Sequence, residues 1–221
     1  MDDSVRLGVD VGGTFTDVVL VGPDGVTTAK VPTTTPQHEG VIEGVRAACD
    51  AADVAPADVD RFRHAMTVTT NALLETDGAE TALVTTDGFT DVLEIGRQDR
   101  PNLYDQSVAR PEPLVPADRR YGVDERATVE GIERAVDTDA VRDLAADIDA
   151  EAVAVSLLHA YAHPENERRV AAVLREELDV PVSASHEVLS AFREYERTAT
   201  TVADAFVTPA LSTYLGQLVE I

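Results

Sequence analysis

"LGVDVGGTFTDVVLVG", residues 7–22, is two apolar runs around a turn that holds Gly12, Gly13, Thr14 and Thr16, with Asp10 and Asp17 on its flanks. Adjacent glycines in a tight turn let several backbone N–H groups converge on one concavity, a nest for phosphate oxygens, and leave no Cβ in the path of the anion. The threonine hydroxyls add donors. The aspartates are the difficulty. Two like charges ~4 Å apart repel by about 4 kcal/mol at an effective dielectric near 20, so a carboxylate beside a polyphosphate requires a cation. Mg²⁺ meets that need, because it sits between one or two carboxylates, waters and substrate phosphates. On this reading Asp10 and Asp17 hold the metal while Gly12, Gly13, Thr14 and Thr16 hold phosphate. Asp17 has a second reading as a cap of the turn, and the plain alternative for the whole octapeptide is a Gly-Gly hairpin with exposed aspartates.

Outward from this turn, residues 5–11, 16–21 and 26–31 read as three strands, the last two joined by the turn Gly22-Pro23-Asp24-Gly25, in which Pro fixes one dihedral and Gly supplies the unusual one. A meander is therefore expected, not the strand–helix–strand of a dinucleotide fold. A helix is expected over 37–52, with Val41, Val45 and Ala48 on one face, then a strand over 61–66, a helix over 68–76, a strand over 80–86 and a helix over 89–95. This order predicts a mixed sheet with an antiparallel hairpin at the start and parallel strands later. Residues 97–136 contain Pro101, Pro111, Pro113 and Pro116 and show no sustained period, so they read as an insert or lid. Arg97, Arg100, Arg110, Arg119, Arg120 and Arg126 cluster there, either as an anion site or as partners of nearby carboxylates. Alternation resumes with a helix over 138–149, a buried strand "EAVAVSLL", a helix opened by Pro164, a short strand "VPVSAS" and a helix over 194–206 with Tyr195, Ala199, Val202, Ala203 and Phe206 in register. Pro209 is expected to break or restart that helix. The division expected is 1–96 for a phosphate-binding core, 97–136 for the insert and 137–221 for an α/β continuation.

The composition excludes several classes. With 41 acidic against 18 basic residues and a net charge of −23, the chain is a poor partner for nucleic acid or anionic membranes. Such a field destabilises a compact chain at low salt and is screened near ~1 M salt, which predicts a salty cytoplasm as its setting. Cys49 is the single cysteine and cannot form an internal disulfide; beside Val45 and Ala48 it reads as a core thiol. No run is long enough to span a membrane, and the acidic N-terminus is no signal peptide. There is no G-x-x-x-x-G-K-[ST] and no G-x-G-x-x-G opening a helix, and the five histidines lack metal-ligand spacing.

The octapeptide "DVGGTFTD" resembles the first phosphate loop of the actin-like ATPase superfamily, and the meander followed by helix–strand–helix fits that group's ribonuclease-H-like lobe. The stretches "TVTTNALLE", "TALVTTDGFTDVLEIGRQDRPNLYD", "PLVPADRRYGVDER", "SLLHAYAHPENE" and "REYERTATTVADAFVTP" extend the resemblance almost end to end, to the hydantoinase/oxoprolinase family. That family includes N-methylhydantoinases, 5-oxoprolinases and acetone carboxylase subunits. The resemblance implies an α/β fold, a ribonuclease-H-like lobe plus an inserted α/β subdomain, and ATP with Mg²⁺ used to phosphorylate an amide or carbonyl oxygen before hydrolysis or carboxylation of a small-molecule substrate. It assigns Asp10 to the metal, Asp10 and Thr14 to catalysis, and Gly12, Gly13, Thr14 and Thr16 to phosphate. Thr67, Thr69, Thr70 and Asn71 would face the same phosphate from a helix N-terminus, or serve as ordinary caps. Arg97 and Arg100 are candidates for substrate contacts. A second phosphate loop is absent, so the partners expected are a C-terminal lobe and a second enzyme subunit. Two other classes stay open: a sugar-kinase-like phosphotransferase lobe, and a non-catalytic subunit that retains the fold.

Overall fold

A computed structural model describes residues 4–98, 104 and 111–219. The chain divides into two compact units, one formed by residues 1–75 with 210–221 and the other by 76–209. The boundaries expected near 97 and 137 both fall inside the second unit.

The first unit begins with β1 (Arg6–Val11), β2 (Phe15–Gly22) and β3 (Gly25–Pro32), an antiparallel meander. Helix α1 (Gln37–Ala52) follows, then β4 (Arg61–Met66), which pairs parallel to β1, and α2 (Val68–Glu75). The sheet order is β3-β2-β1-β4. Strand alternation sends Leu7, Val9, Val11, Val18 and Leu20 to one face, where they pack with Val41, Ala48 and Cys49 of α1. The close approach needs Gly44: a Cβ there would lie 2.7 Å from Val18 Cγ2. The opposite face carries Asp10, Asp17 and Lys30 in one cross-strand row, since Asp10 faces Asp17 and Asp17 faces Lys30 in register.

His64 of β4 is enclosed on the α1 side of the sheet, its ring 5.5 Å from that of Tyr214 and its Nε2 2.7 Å from the Tyr214 hydroxyl. Burial pushes the imidazole pKa below its ordinary value, against a smaller opposing pull from Asp10. In the unfolded chain the ring binds a proton near pH ~6.5, whereas the folded chain resists it. Stability from this group is therefore present above the unfolded pKa and is lost as the pH falls through the depressed folded value. Chemical denaturation of wild type and His64→Phe across this range is expected to show a shallower acid-side loss in the variant; parallel profiles would exclude the effect.

The second unit holds an all-parallel sheet of order β10-β9-β5-β6, made of β5 (Thr81–Thr86), β6 (Arg120–Val123), β9 (Ala152–Ser156) and β10 (Val182–Ala184). Every residue of β5 and β9 is buried, as expected of parallel strands covered on both faces. One face packs on α4 (Thr138–Ala145) and α5 (Glu165–Glu177), through Val141, Val170, Val173 and Leu174. The other meets Val115, Val202 and Ala205. A short helix α3 (Val92–Ile95) follows β5, the hairpin β7 (Arg126–Thr128) and β8 (Gly131–Arg134) follows β6, and α6 (Ser185–Val188) follows β10.

Three expectations are corrected. The mixed sheet is present as β3-β2-β1-β4, but it ends at β4, and β5 belongs to a second four-stranded sheet, where it pairs with β6 and β9. Residues 120–134, inside the stretch read as an insert or lid without a period, supply β6, β7 and β8, strands of three or four residues that are too short to show one. Helix α7 (Glu194–Val219) runs on through Pro209, and its buried face keeps Val202 and Phe206 of the expected register but adds Arg197, Thr198, Thr201 and Ala205, while Tyr195, Ala199 and Ala203 are only half-buried. Among the described residues, no helix is long and apolar enough to cross a membrane.

Candidate functional site

The turn between β1 and β2 closes on a single backbone bond, from Gly12 N–H to the Phe15 carbonyl at 3.0 Å. Thr33, at the end of the meander, fixes it from behind: its hydroxyl donates to the Gly12 carbonyl at 2.8 Å, and its N–H to the Thr14 carbonyl at 3.0 Å. Gly12 N–H is thus spent inside the turn. Among the described residues, the N–H groups of Gly13 and Thr14 find no acceptor, and both residues are exposed. Two donors and the Thr14 hydroxyl are left to whatever approaches.

The two glycines have different reasons. A Cβ on Gly12 would lie 3.2 Å from the Phe15 carbonyl, tighter than ordinary contact. A Cβ on Gly13 would meet no atom within 4 Å, and Gly13 does not adopt a positive φ. The fold would accept a side chain at 13; its absence keeps the outer surface of the turn open.

Thr16 is fully buried on the α1 side and its hydroxyl lies 3.3 Å from that of Thr33, so it serves the interior and not the open side of the turn. Asp17 is on the open face, but both its oxygens accept from Lys30 Nζ, at 2.7 and 2.9 Å. Asp10 is exposed, and among the described residues its carboxylate has no hydrogen-bond or ion-pair partner. The two aspartates, equal in the sequence, are therefore distinguished by a lysine opposite one of them.

Strands β1 and β4 run parallel and end together. Thr67, the residue before α2, donates both its N–H and its hydroxyl to the Val11 carbonyl, each at 3.2 Å. This ties the start of α2, with Thr69, Thr70 and Asn71, to the strand that leads into the Gly12–Thr14 turn. Asn71 N–H already bonds back to the Thr67 carbonyl at 2.8 Å, while the helix leaves its first N–H groups without intrahelical acceptors. Arg97 is held by Glu196 at 2.7 Å. Arg100 and Arg110 lie outside the described residues. Arg119 and Arg120 pair with Glu80 and Glu94. For these side chains, salt-bridge chemistry accounts for the clustering.

Among the described residues no group of three or more His, Cys, Asp or Glu could hold a metal. Sequence reading missed Thr33, which carries no motif, and the Lys30–Asp17 pair. The latter had a signal, since the turn at Gly22–Gly25 sets the register that puts Lys30 opposite Asp17.

The model of the hydantoinase/oxoprolinase N-terminal region matches residues 6–178. The chain is 36% identical to an uncharacterized protein of Methanocaldococcus jannaschii, over 97% of this chain and 33% of that protein. It is 35% identical to caprolactamase subunit alpha of Pseudomonas jessenii, over 96% of this chain and 32% of that subunit. The crystal structure of the ATP-dependent caprolactamase from that organism superposes with a TM-score of 0.81 at 33% identity, covering 96% of this chain and 33% of that one. A nucleotide-free structure of acetone carboxylase, solved to explain ATP-dependent acetone carboxylation, superposes with a TM-score of 0.87 at 28% identity, over 98% of this chain and 34% of that one. The chain spans about a third of the length of these relatives.

Proposed function

The chain belongs to the hydantoinase/oxoprolinase family, as its N-terminal region, and from that premise we propose that it is the N-terminal lobe of an ATP-dependent enzyme that phosphorylates an amide or carbonyl oxygen. The product chemistry would be hydrolysis of a cyclic amide or carboxylation. The observation that carries this reading is the Gly12–Thr14 turn, with two N–H donors and the neighbouring Asp10 carboxylate that have no partner among the described residues. The ATP-dependent relatives support the nucleotide. The order β3-β2-β1-β4, a meander with a parallel fourth strand, supports a ribonuclease-H-like reading of the first unit, and the second unit is then the inserted subdomain.

The residues fit a nucleotide-borne Mg²⁺ better than a resident ion. A closed protein cage needs several carboxylates, whereas Mg²⁺ bound with phosphates needs one or two. Gly13 and Thr14 would hold terminal phosphate oxygens through their N–H groups and the Thr14 hydroxyl, and Asp10 would hold the ion. Bound, ATP and Mg²⁺ supply the phosphoryl group and neutralise its charge. Thr69, Thr70 and Asn71 would face the same phosphates from the start of α2, where the helix dipole favours an anion. Asp17, neutralised by Lys30, shapes the loop's flank and leaves the metal to Asp10. A second lobe and a second subunit would complete the site.

Titration of the ¹⁵N-labelled chain with Mg²⁺-pyrophosphate tests the loop directly. The Gly13 and Thr14 amide resonances are expected to shift and saturate. Gly13→Ala is expected to weaken this response by about ten-fold while leaving thermal unfolding unchanged, since the added methyl meets nothing in the fold and only the incoming anion. A wild-type chain whose shifts are confined to other residues would refute the assignment.

A further inference from the structure

The second unit has a cleft of about 280 Å³ at the carboxyl edge of its parallel sheet. Its walls come from segments that follow strands: Phe89 after β5, Arg126 after β6, His159 and Tyr161 after β9, and Phe192 and Arg197 after β10. The chain leaves β5 for β6 on one side, and β9 and β10 lie on the other. Ligands of open α/β sheets occupy the crevice outside the carboxyl ends at such a reversal of strand order.

The cleft also holds Arg126, His159 and Arg197, with Glu194 in the same lining and acting, with Glu167, on the charge of Arg197. Arg197 is only 1% exposed. Its terminal nitrogens donate to the Ala191 and Leu157 carbonyls at 2.9 and 2.8 Å, but among the described residues its buried Nε has no partner. His159 Nδ1 is likewise buried without a partner, on a residue held at φ 57°. Such backbone strain in a non-glycine residue persists where its surroundings impose it. Arg126 makes no ion pair among the described residues, and its guanidinium sits 5.7 Å from the Phe89 ring centre. Tyr161 and Phe192 meet edge to face at 5.6 Å, and Phe192 stays 66% exposed.

We infer that this cleft is a binding site for a small organic carboxylate, its acid group taken by Arg126 with the buried Arg197 and His159 behind it, and its compact apolar body by Tyr161 and Phe192. The size sets the class, since pockets for drug-sized ligands begin near ~300 Å³. Inorganic phosphate lacks the apolar body, and an uncharged amide lacks the charge. Glu194 on the rim suits a ligand that also bears an N–H or O–H donor. The site lies wholly within the second unit and stands whether or not the nucleotide reading does.

Ligand-detected NMR and calorimetry on the 221-residue chain, at one fixed salt concentration, would compare benzoate, benzamide and inorganic phosphate. Benzoate is expected to bind at least about ten-fold more tightly than the other two, the worth of a charge-assisted contact. Arg126→Gln is expected to remove that margin with no change in melting, because Arg126 holds no carboxylate in the fold. Phe192→Ala, at an exposed position, is expected to weaken benzoate and benzamide alike. Equal binding of benzoate and benzamide, unchanged benzoate binding in Arg126→Gln, or no benzoate binding up to its solubility limit would each overturn the proposal.

Discussion

Asp10→Ala in the complete polypeptide is expected to cut ATP-dependent turnover by roughly two to three orders of magnitude, the loss seen when one preorganised electrostatic group is removed from a reacting centre. The fold should not register the change. Asp10 is exposed, and among the described residues its carboxylate has no partner, so its removal breaks no contact. Its cross-strand neighbour Asp17 should even be relieved of a like charge. Asp17→Ala supplies the contrast. Its pairing with Lys30 is about half exposed on both sides, and such surface pairs are worth at most about 1 kcal/mol. Turnover in Asp17→Ala is expected to stay within a few-fold of wild type. The measurement is steady-state phosphate release with both variants at matched nucleotide and Mg²⁺. If Asp17→Ala were as inactive as Asp10→Ala, the division of labour read from Lys30 would be wrong. If Asp10→Ala kept full turnover, the loop would not be the phosphate site.

Much of the fold was legible in the sequence because punctuation and period agreed. Helix α1 begins after Pro36 and runs Gln37–Ala52 with Val41 and Ala48 inward, and β4 covers Arg61–Met66, as expected from the pattern. The failures share a physical origin. Strands β6, β7 and β8 are too short for alternation to accumulate, and they earn their places by pairing with distant segments, as Leu83 does with Arg120. Helix α7 misled because polar side chains share its inner face with Val202, Ala205 and Phe206. Thr198 meets Ser156 at 2.8 Å, and Arg197 reaches the Leu157 carbonyl. Hydrophobic periodicity cannot see a buried side chain whose place is fixed by hydrogen bonds. In the candidate site, Gly13, Thr14 and Asp10 could be read from the octapeptide. That Thr16 turns inward follows from strand alternation, once β2 is known to begin at Phe15 and to bury Val18 and Leu20.

The largest effect on stability is expected at Glu167, a carboxylate with no solvent exposure in the middle of the second unit. It accepts from Leu157 N–H at 2.7 Å, from the Ser185 hydroxyl at 2.8 Å to Oε2, and from His186 N–H at 2.7 Å. His186 Nδ1 lies 2.8 Å from the same group. Three elements thus converge on one side chain: the turn after β9, the start of α6, and α5, which carries Glu167. Removing the acceptor strands several donors at once. Each buried orphan costs about 1–3 kcal/mol, so Glu167→Ala is expected to lose about 4 kcal/mol or more, a large share of the roughly 5–15 kcal/mol that holds a typical domain folded. At about 2–4 °C per kcal/mol for a chain of this size, the melting temperature should fall by roughly 10 °C. Glu167→Gln keeps an acceptor oxygen and the side-chain volume while giving up the charge, and should fall between wild type and alanine. Denaturant unfolding of the three proteins gives the ranking, and an unchanged m-value shows that the same surface is exposed in each. An alanine variant within about 1 kcal/mol of wild type would mean that water replaces the carboxylate, and that the convergence on Glu167 orders these segments without stabilising them.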